Sequence, residues 1–292
     1  MEKLLILNTA LVALCVCGLW IVKKYAKTAR TQNIILIAAS LSTIAFHYSS
    51  FIARLVSGSN AMEYLSDNPN LILPIYPCNV VMWSALIFAL LKNKKSRFGS
   101  FLADYLFWFG IISTLVGMFA NMDFIKNPTL ADYENLKSIV THAILLFNVL
   151  LPALFGYIKV NVIRNITNII VSIVVMALIG GYCTITLWAL NSKEFAYYKN
   201  SMFLLHSPFE GLDFLTYPII VLIAIPIYLL LFIACDICVH KKGDRFVDKL
   251  RDKIHQKNKI RIPQKLSPVW GLFNLIFYNI FLINVYFLPL RK

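Results

Sequence analysis

Residues 34–56 read IILIAASLSTIAFHYSSFIARLV, the core of an apolar run over 33–57. The run is long enough to cross a bilayer, because about 20 helical residues at 1.5 Å each span the hydrocarbon. Its polar members are not scattered. Ser40, Thr43, His47, Ser50 and Arg54 follow at steps of 3, 4, 3 and 4, the spacing that puts five side chains on one face of a helix. Ionisable groups inside a membrane helix are costly, so such a stripe turns from lipid toward other helices and marks a functional site by default. A purely structural polar seam is the alternative.

The rest of the chain repeats the first half of this pattern. Apolar runs recur near 4–22, 72–91, 100–124, 137–160, 163–190, 214–239 and 268–290. Hydrophobic residues make up 59% of the 292, charged residues 14%, and mean hydropathy is +0.70, which leaves too little polar surface for a water-soluble domain. These features predict an all-α, polytopic transmembrane helix bundle. It has eight crossings, or seven if 268–290, bounded by Pro268 and Pro289, lies against the bundle. The first run lacks a small-residue cleavage site and ends in Lys23 and Lys24, so it reads as a retained helix.

The net charge of +14 sits in particular loops. Lys23, Lys24, Lys27 and Arg30 fill the first, Lys92, Lys94, Lys95 and Arg97 the third, and Lys159 and Arg164 flank the fifth. Glu63, Asp67, Asp132, Glu134, Glu194 and Glu210 occupy the second, fourth and sixth. Basic loops stay in the cytoplasm, which puts the N-terminus outside and makes the protein a multi-pass component of the cell (plasma) membrane. It also accounts for the charge without nucleic acid. The chain divides into a transmembrane bundle over 1–239, a basic cytoplasmic segment over 240–266 and a C-terminal hydrophobic segment over 267–292. In the basic segment Phe246, Leu250 and Ile254 stand at helical spacing, as in a helix on the inner leaflet, although a solvated linker fits equally.

Five of the six cysteines, Cys15, Cys17, Cys183, Cys235 and Cys238, lie in apolar runs and read as buried hydrophobes, not disulfides. The Cys235-x-x-Cys238 pair has redox or metal spacing but lacks partners, so neither a metal nor another cofactor is expected.

The sixth, Cys78, stands in LPIYPCNVV, residues 73–81, where the third run begins. Pro77 suits a first helical turn. Cys78 then faces the positive end of the dipole, an environment that favours the thiolate. With the loops oriented as above, His47 and Arg54, Cys78 and Asn79, Asn121 and Asp123, His142 and His206 all fall toward the outer side, as around a water-accessible cavity. Cys78 is the candidate nucleophile and His142 its base, with Asp123 or Asn79 orienting the imidazole. Arg54 suits a phosphate headgroup, and His47, Thr43, Ser50, Asn121 and His206 complete the expected substrate-binding set. The alternative is a cysteine that merely packs beneath a proline turn.

LPIYPCN together with KSIVTHAILLF, residues 137–147, resembles the integral membrane family that includes bacterial YwaF, over about residues 35–240. That family is similar to the eukaryotic membrane acyltransferases that place polyunsaturated chains on ether phospholipids. It is more distantly similar to the androgen-induced-gene lipid hydrolases, which use a threonine and a histidine. The resemblance implies a thioester acyl-enzyme at Cys78, served by His142. Tyr76 stands where bacterial members often have histidine, and residues 240–292 have no counterpart in the family. Because acyl-CoA is cytoplasmic and the site is expected outside, the implied activity is a CoA-independent transacylase taking its acyl chain from a phospholipid. The acceptor is a second lipid, a lipoprotein amine or water, the last making it a lipid ester hydrolase. A small-solute transporter or receptor using the polar seam is the non-enzymatic alternative.

Overall fold

The computed structural model describes residues 2–119, 129, 132–207 and 212–256. Every regular element among them is helical, and six helices are long and apolar enough to cross a membrane. The chain is therefore an all-α, multi-pass membrane protein. The run at 268–290, and with it the eighth crossing, lies outside the described residues. Helices pack as two compact units, 1–159 and 160–292. That boundary falls at a short loop which neither charge nor hydropathy marks as a division.

In the first unit α1 spans Glu2–Tyr25 and α2 spans Ala29–Val56. Thr28 starts α2 by accepting the Thr31 N–H at 3.1 Å, and Gly58, at φ +68°, turns the chain away after it. Short α3, Ala61–Asp67, and a 3₁₀ turn at Pro69–Leu71 follow. α4 is Pro77–Leu90, only 14 residues or about 21 Å long. α5 runs Arg97–Phe119 through a π-helical stretch at Tyr105–Phe109, and α6 is Tyr133–Leu154.

α6 is central. It packs against α1, α2, α4 and α5, and polar pins hold it at buried levels. Asn148 Nδ2 donates to Ser40 Oγ on α2 at 3.1 Å, and Cys15 Sγ on α1 lies 3.3 Å from the Ala143 carbonyl. With no hydrophobic drive between helices in lipid, small residues and polar bonds of this kind decide the packing. Lys94 belongs to the basic third loop, yet it is buried. Its Nζ donates to the carbonyls of Ala89 and Leu91 at 2.9 Å and to Asn33 Oδ1, closing the C-terminus of α4 with a cation. Burial pushes that ammonium below the usual lysine range.

The second unit holds α7, Val162–Leu190, started by Asn161, whose Oδ1 accepts the Arg164 N–H. It continues with α8, Lys193–Lys199, then α9, Tyr217–Val239, and α10, Phe246–Gln256. Tyr217 Oη ties α9 to the Ile173 carbonyl of α7 at 2.8 Å. Asp236, buried near the end of α9, accepts the Phe246 N–H at 2.6 Å and so seats α10. The basic segment is thus helical over 246–256, while its continuation lies outside the described residues.

Candidate functional site

A cavity of about 460 Å³ lies within the first unit, bounded by α2, α4, α6 and the loop before α4. Its walls bring together Thr43 and His47 of α2, Cys78 and Asn79 of α4, and His142 of α6. Those five were expected from sequence, and they meet here.

Local chemistry explains how each is held. Tyr76 is extended at the start of α4, and Pro77 follows where its missing N–H leaves nothing unsatisfied. Asn79 Oδ1 accepts the Tyr76 N–H at 3.1 Å, a reciprocal cap that fixes the first turn. Cys78 is partly buried inside that turn, with the backbone N–H groups of Cys78 and Asn79 against its sulfur. The Asn79 amide then reaches His47 Nε2 at 3.5 Å. An amide N–H donates, so Nε2 of His47 accepts, and the ring also interacts with the Asn70 backbone.

His142 is held differently. Its Nδ1 lies 2.8 Å from the Ser138 carbonyl one turn earlier on the same helix. A carbonyl can only accept, so the proton of the neutral ring is assigned to Nδ1 and Nε2 is left as the basic nitrogen. Asn79, offered as an orienting group for His142, instead serves His47. The orienter of His142 is the backbone of its own helix.

Three other expectations change. Arg54 does not line the cavity. It is exposed, its guanidinium 4.5 Å from the centre of the Tyr64 ring. Seven residues separate it from His47, and an α-helix drifts about 20° in that distance, enough to carry a long side chain off the stripe onto α3. Ser50 is buried on the stripe and does not line the cavity, but it accepts from Lys137 Nζ at 3.0 Å and also hydrogen-bonds Glu134. His206 belongs to the second unit and does not line the cavity. There Asn200, left-handed at φ +44°, ends α8 and directs its amide to His206 Nδ1 at 3.2 Å, with His206 Nε2 3.2 Å from the Tyr197 carbonyl. Asn121 and Asp123 lie outside the described residues.

The ionic groups of the cavity are ones the sequence reading passed over. Lys137 pairs with Glu134, and Tyr64 Oη donates to both Glu134 oxygens at 3.1 Å while accepting from Lys137 Nζ at 3.2 Å. Glu134, Lys137, Thr141, His142 and Leu145 share a face of α6 and all line the cavity. The same spacing test that exposed the α2 stripe finds them. Among the described residues no three His, Cys, Asp or Glu side chains converge as a metal site.

Together these features define a multi-pass helical membrane protein with a polar cavity that holds a thiol, two imidazoles and one ion pair. Residues 1–236 match the TMEM164 family, and the chain belongs to it. No curated protein and no solved structure matches.

Proposed function

We propose that the protein is a membrane lipid acyltransferase working through a thioester at Cys78. The observation that carries this reading is that Cys78, at the N-terminus of α4, and His142, with Nε2 basic, line one cavity. The resemblance of residues 73–79 and 137–147 to the YwaF-like and ether-phospholipid acyltransferase families supports it.

The steps follow from these groups. His142 Nε2 takes the thiol proton as Cys78 Sγ attacks the ester carbonyl of a phospholipid, at the positive end of the α4 dipole. Collapse breaks the ester C–O bond. The proton on Nε2 passes to the departing lysophospholipid oxygen, leaving the acyl chain on sulfur. An acceptor hydroxyl, amine or water then gives its proton to Nε2 as it attacks the thioester, and the thiolate leaves and is reprotonated from the same nitrogen. His47, held through Asn79, positions the first turn of α4. Lys137, Glu134 and Asp132, not Arg54, are the charged side chains that a headgroup in the cavity meets. On the distribution of basic loops the donor is a phospholipid of the outer leaflet of the plasma membrane.

The test is incubation of the purified protein with a phospholipid carrying a labelled acyl chain, followed by peptide mass spectrometry. A hydroxylamine-labile acyl adduct is expected on Cys78. Cys78→Ala removes it, and His142→Ala slows its formation by about 10²- to 10⁴-fold. Full lipid turnover by Cys78→Ala overturns the proposal and leaves a solute-binding role for the cavity.

A further inference from the structure

α5 and α6 cross the first unit antiparallel, and two glycines of α5, one heptad apart, face two residues of α6 one heptad apart. A Cβ on Gly110 meets Val149 Cγ1 at 2.9 Å and Val81 Cγ1 at 3.2 Å. A Cβ on Gly117 overlaps the His142 imidazole at its Nε2–Cδ2 edge. The first contact is with methyl groups of a packed seam. The second is with the nitrogen that the chemistry uses.

The ring has no ready escape from such a clash, since Nδ1 is tied to the Ser138 carbonyl on the opposite edge. One residue beyond Gly117, the Met118 carbonyl accepts Asn8 Nδ2 of α1 at 2.6 Å. Asn8 is 0% exposed in a helix whose charged residues stand at its two ends. A buried amide there is costly unless bonded, and the bond it makes pins the turn of α5 that carries Gly117.

We infer that Gly117 is a positioning residue for His142: its bare Cα, held in place by Asn8, sets how the Nε2 edge of the ring is seated. The inference rests on the reading of His142 as the base for Cys78. Gly110, on the same seam and away from the histidine, is the internal control.

The full-length protein in detergent supplies three readouts: acyl-transfer kinetics, the pH dependence of Cys78 alkylation by iodoacetamide resolved by peptide mass spectrometry, and thermal stability. Gly117→Ala is expected to lower kcat by about 10²-fold, the scale of a 1 Å misplacement, with KM little changed. It is also expected to move the alkylation profile onto that of His142→Ala. Gly110→Ala lowers thermal stability and leaves the profile where it is. In a His142→Ala background Gly117→Ala costs neither further rate nor stability, because the ring it displaces is gone. Asn8→Leu, which keeps the glycine, shifts the profile in the same direction by less, and it serves if Gly117→Ala does not fold. A folded Gly117→Ala protein with wild-type kcat and profile overturns the inference, and the proposed function stands if His142→Ala is still inactive. Full activity in Cys78→Ala overturns the proposed function instead. The stability cycle between positions 117 and 142 then decides the seating alone, and simple additivity refutes it.

Discussion

The Lys137–Glu134 pair permits an asymmetric prediction. The Lys137 side chain is 12% exposed and that of Glu134 43%. Removing one partner strands the other, and the cost follows how far the survivor is from water. Glu134→Gln keeps the size and an acceptor for Tyr64 Oη but leaves an ammonium facing mainly Ser50 Oγ and Tyr64 Oη. Losing a hydrogen bond to a charged group costs roughly 1.5–3 kcal/mol, and the low exposure of Lys137 puts this change near the upper end. Lys137→Met strands a carboxylate that is nearly half open to solvent and still bonded by Tyr64, so about 1 kcal/mol is expected, the scale of an exposed pair. The difference of about 1–2 kcal/mol amounts to several degrees in midpoint for a chain of this size. Thermal unfolding of both variants in one detergent, followed by intrinsic fluorescence, measures it. Equal midpoints, or a less stable Lys137→Met protein, would refute the argument that burial of the survivor sets the cost.

Lys94→Met removes the cation that closes α4 and is expected to cost about 1.5–3 kcal/mol, read as a lower thermal midpoint. Phe88→Ala empties a site that is 0% exposed, where the ring stands edge-on to Tyr157 at 5.5 Å; about 3–5 kcal/mol is expected, and a loss under about 1 would mean that the site collapses. Asp236→Ala frees the Phe246 N–H, so limited trypsin digestion should cut α10 at Lys249 and Arg251 earlier than in wild type, with the first unit unaffected. An impermeant maleimide applied to intact cells should label Glu63→Cys and spare Lys95→Cys; the reverse pattern inverts the orientation and moves the acyl donor to the cytoplasm.

What could be read from the sequence, and what could not, divides along the reach of the interactions. The α2 stripe is legible because one helix carries it, and Ser40, Thr43 and His47 point as their spacing demands. Cys78 is legible because Pro77 announces a first turn. Lys137 and Glu134 were equally local, but grouping acids and bases by loop hid the face they share with His142. The choice of Asn79 between His47 and His142 depends on how α2 and α6 approach α4, which no single-helix pattern contains. Gly117 is the extreme case: an unremarkable glycine in an apolar run becomes informative only when His142 arrives from another helix. His206 is grouped with the outer polar residues by loop order alone, and what its position in the chain does not reveal is the local hold of Asn200 within the second unit.

The brevity of α4 has a consequence for how a lipid meets the thiol. Leu90 ends the helix beside the basic loop of Lys94, which the charge pattern assigns to the cytoplasmic headgroups. A hydrocarbon layer about 30 Å thick therefore continues roughly 9 Å beyond the other end of a helix of about 21 Å. The strand of chain that descends to Pro77 has its backbone bonded by protein, as where Tyr48 Oη donates to the Leu71 carbonyl, so it forms a walled dimple instead of an exposed loop. Cys78 stands in the first turn of α4, at the floor of that dimple, so on these lengths it lies about 9 Å below the hydrocarbon edge at which glycerolipids carry their ester bonds. On the proposed chemistry a lipid brings its carbonyl down into the dimple along the protein wall, with its tails still in the bilayer. Bilayer thickness then joins temperature and pH as a variable of the rate: a membrane a few ångströms thinner or thicker moves the ester plane relative to a sulfur that the protein holds fixed.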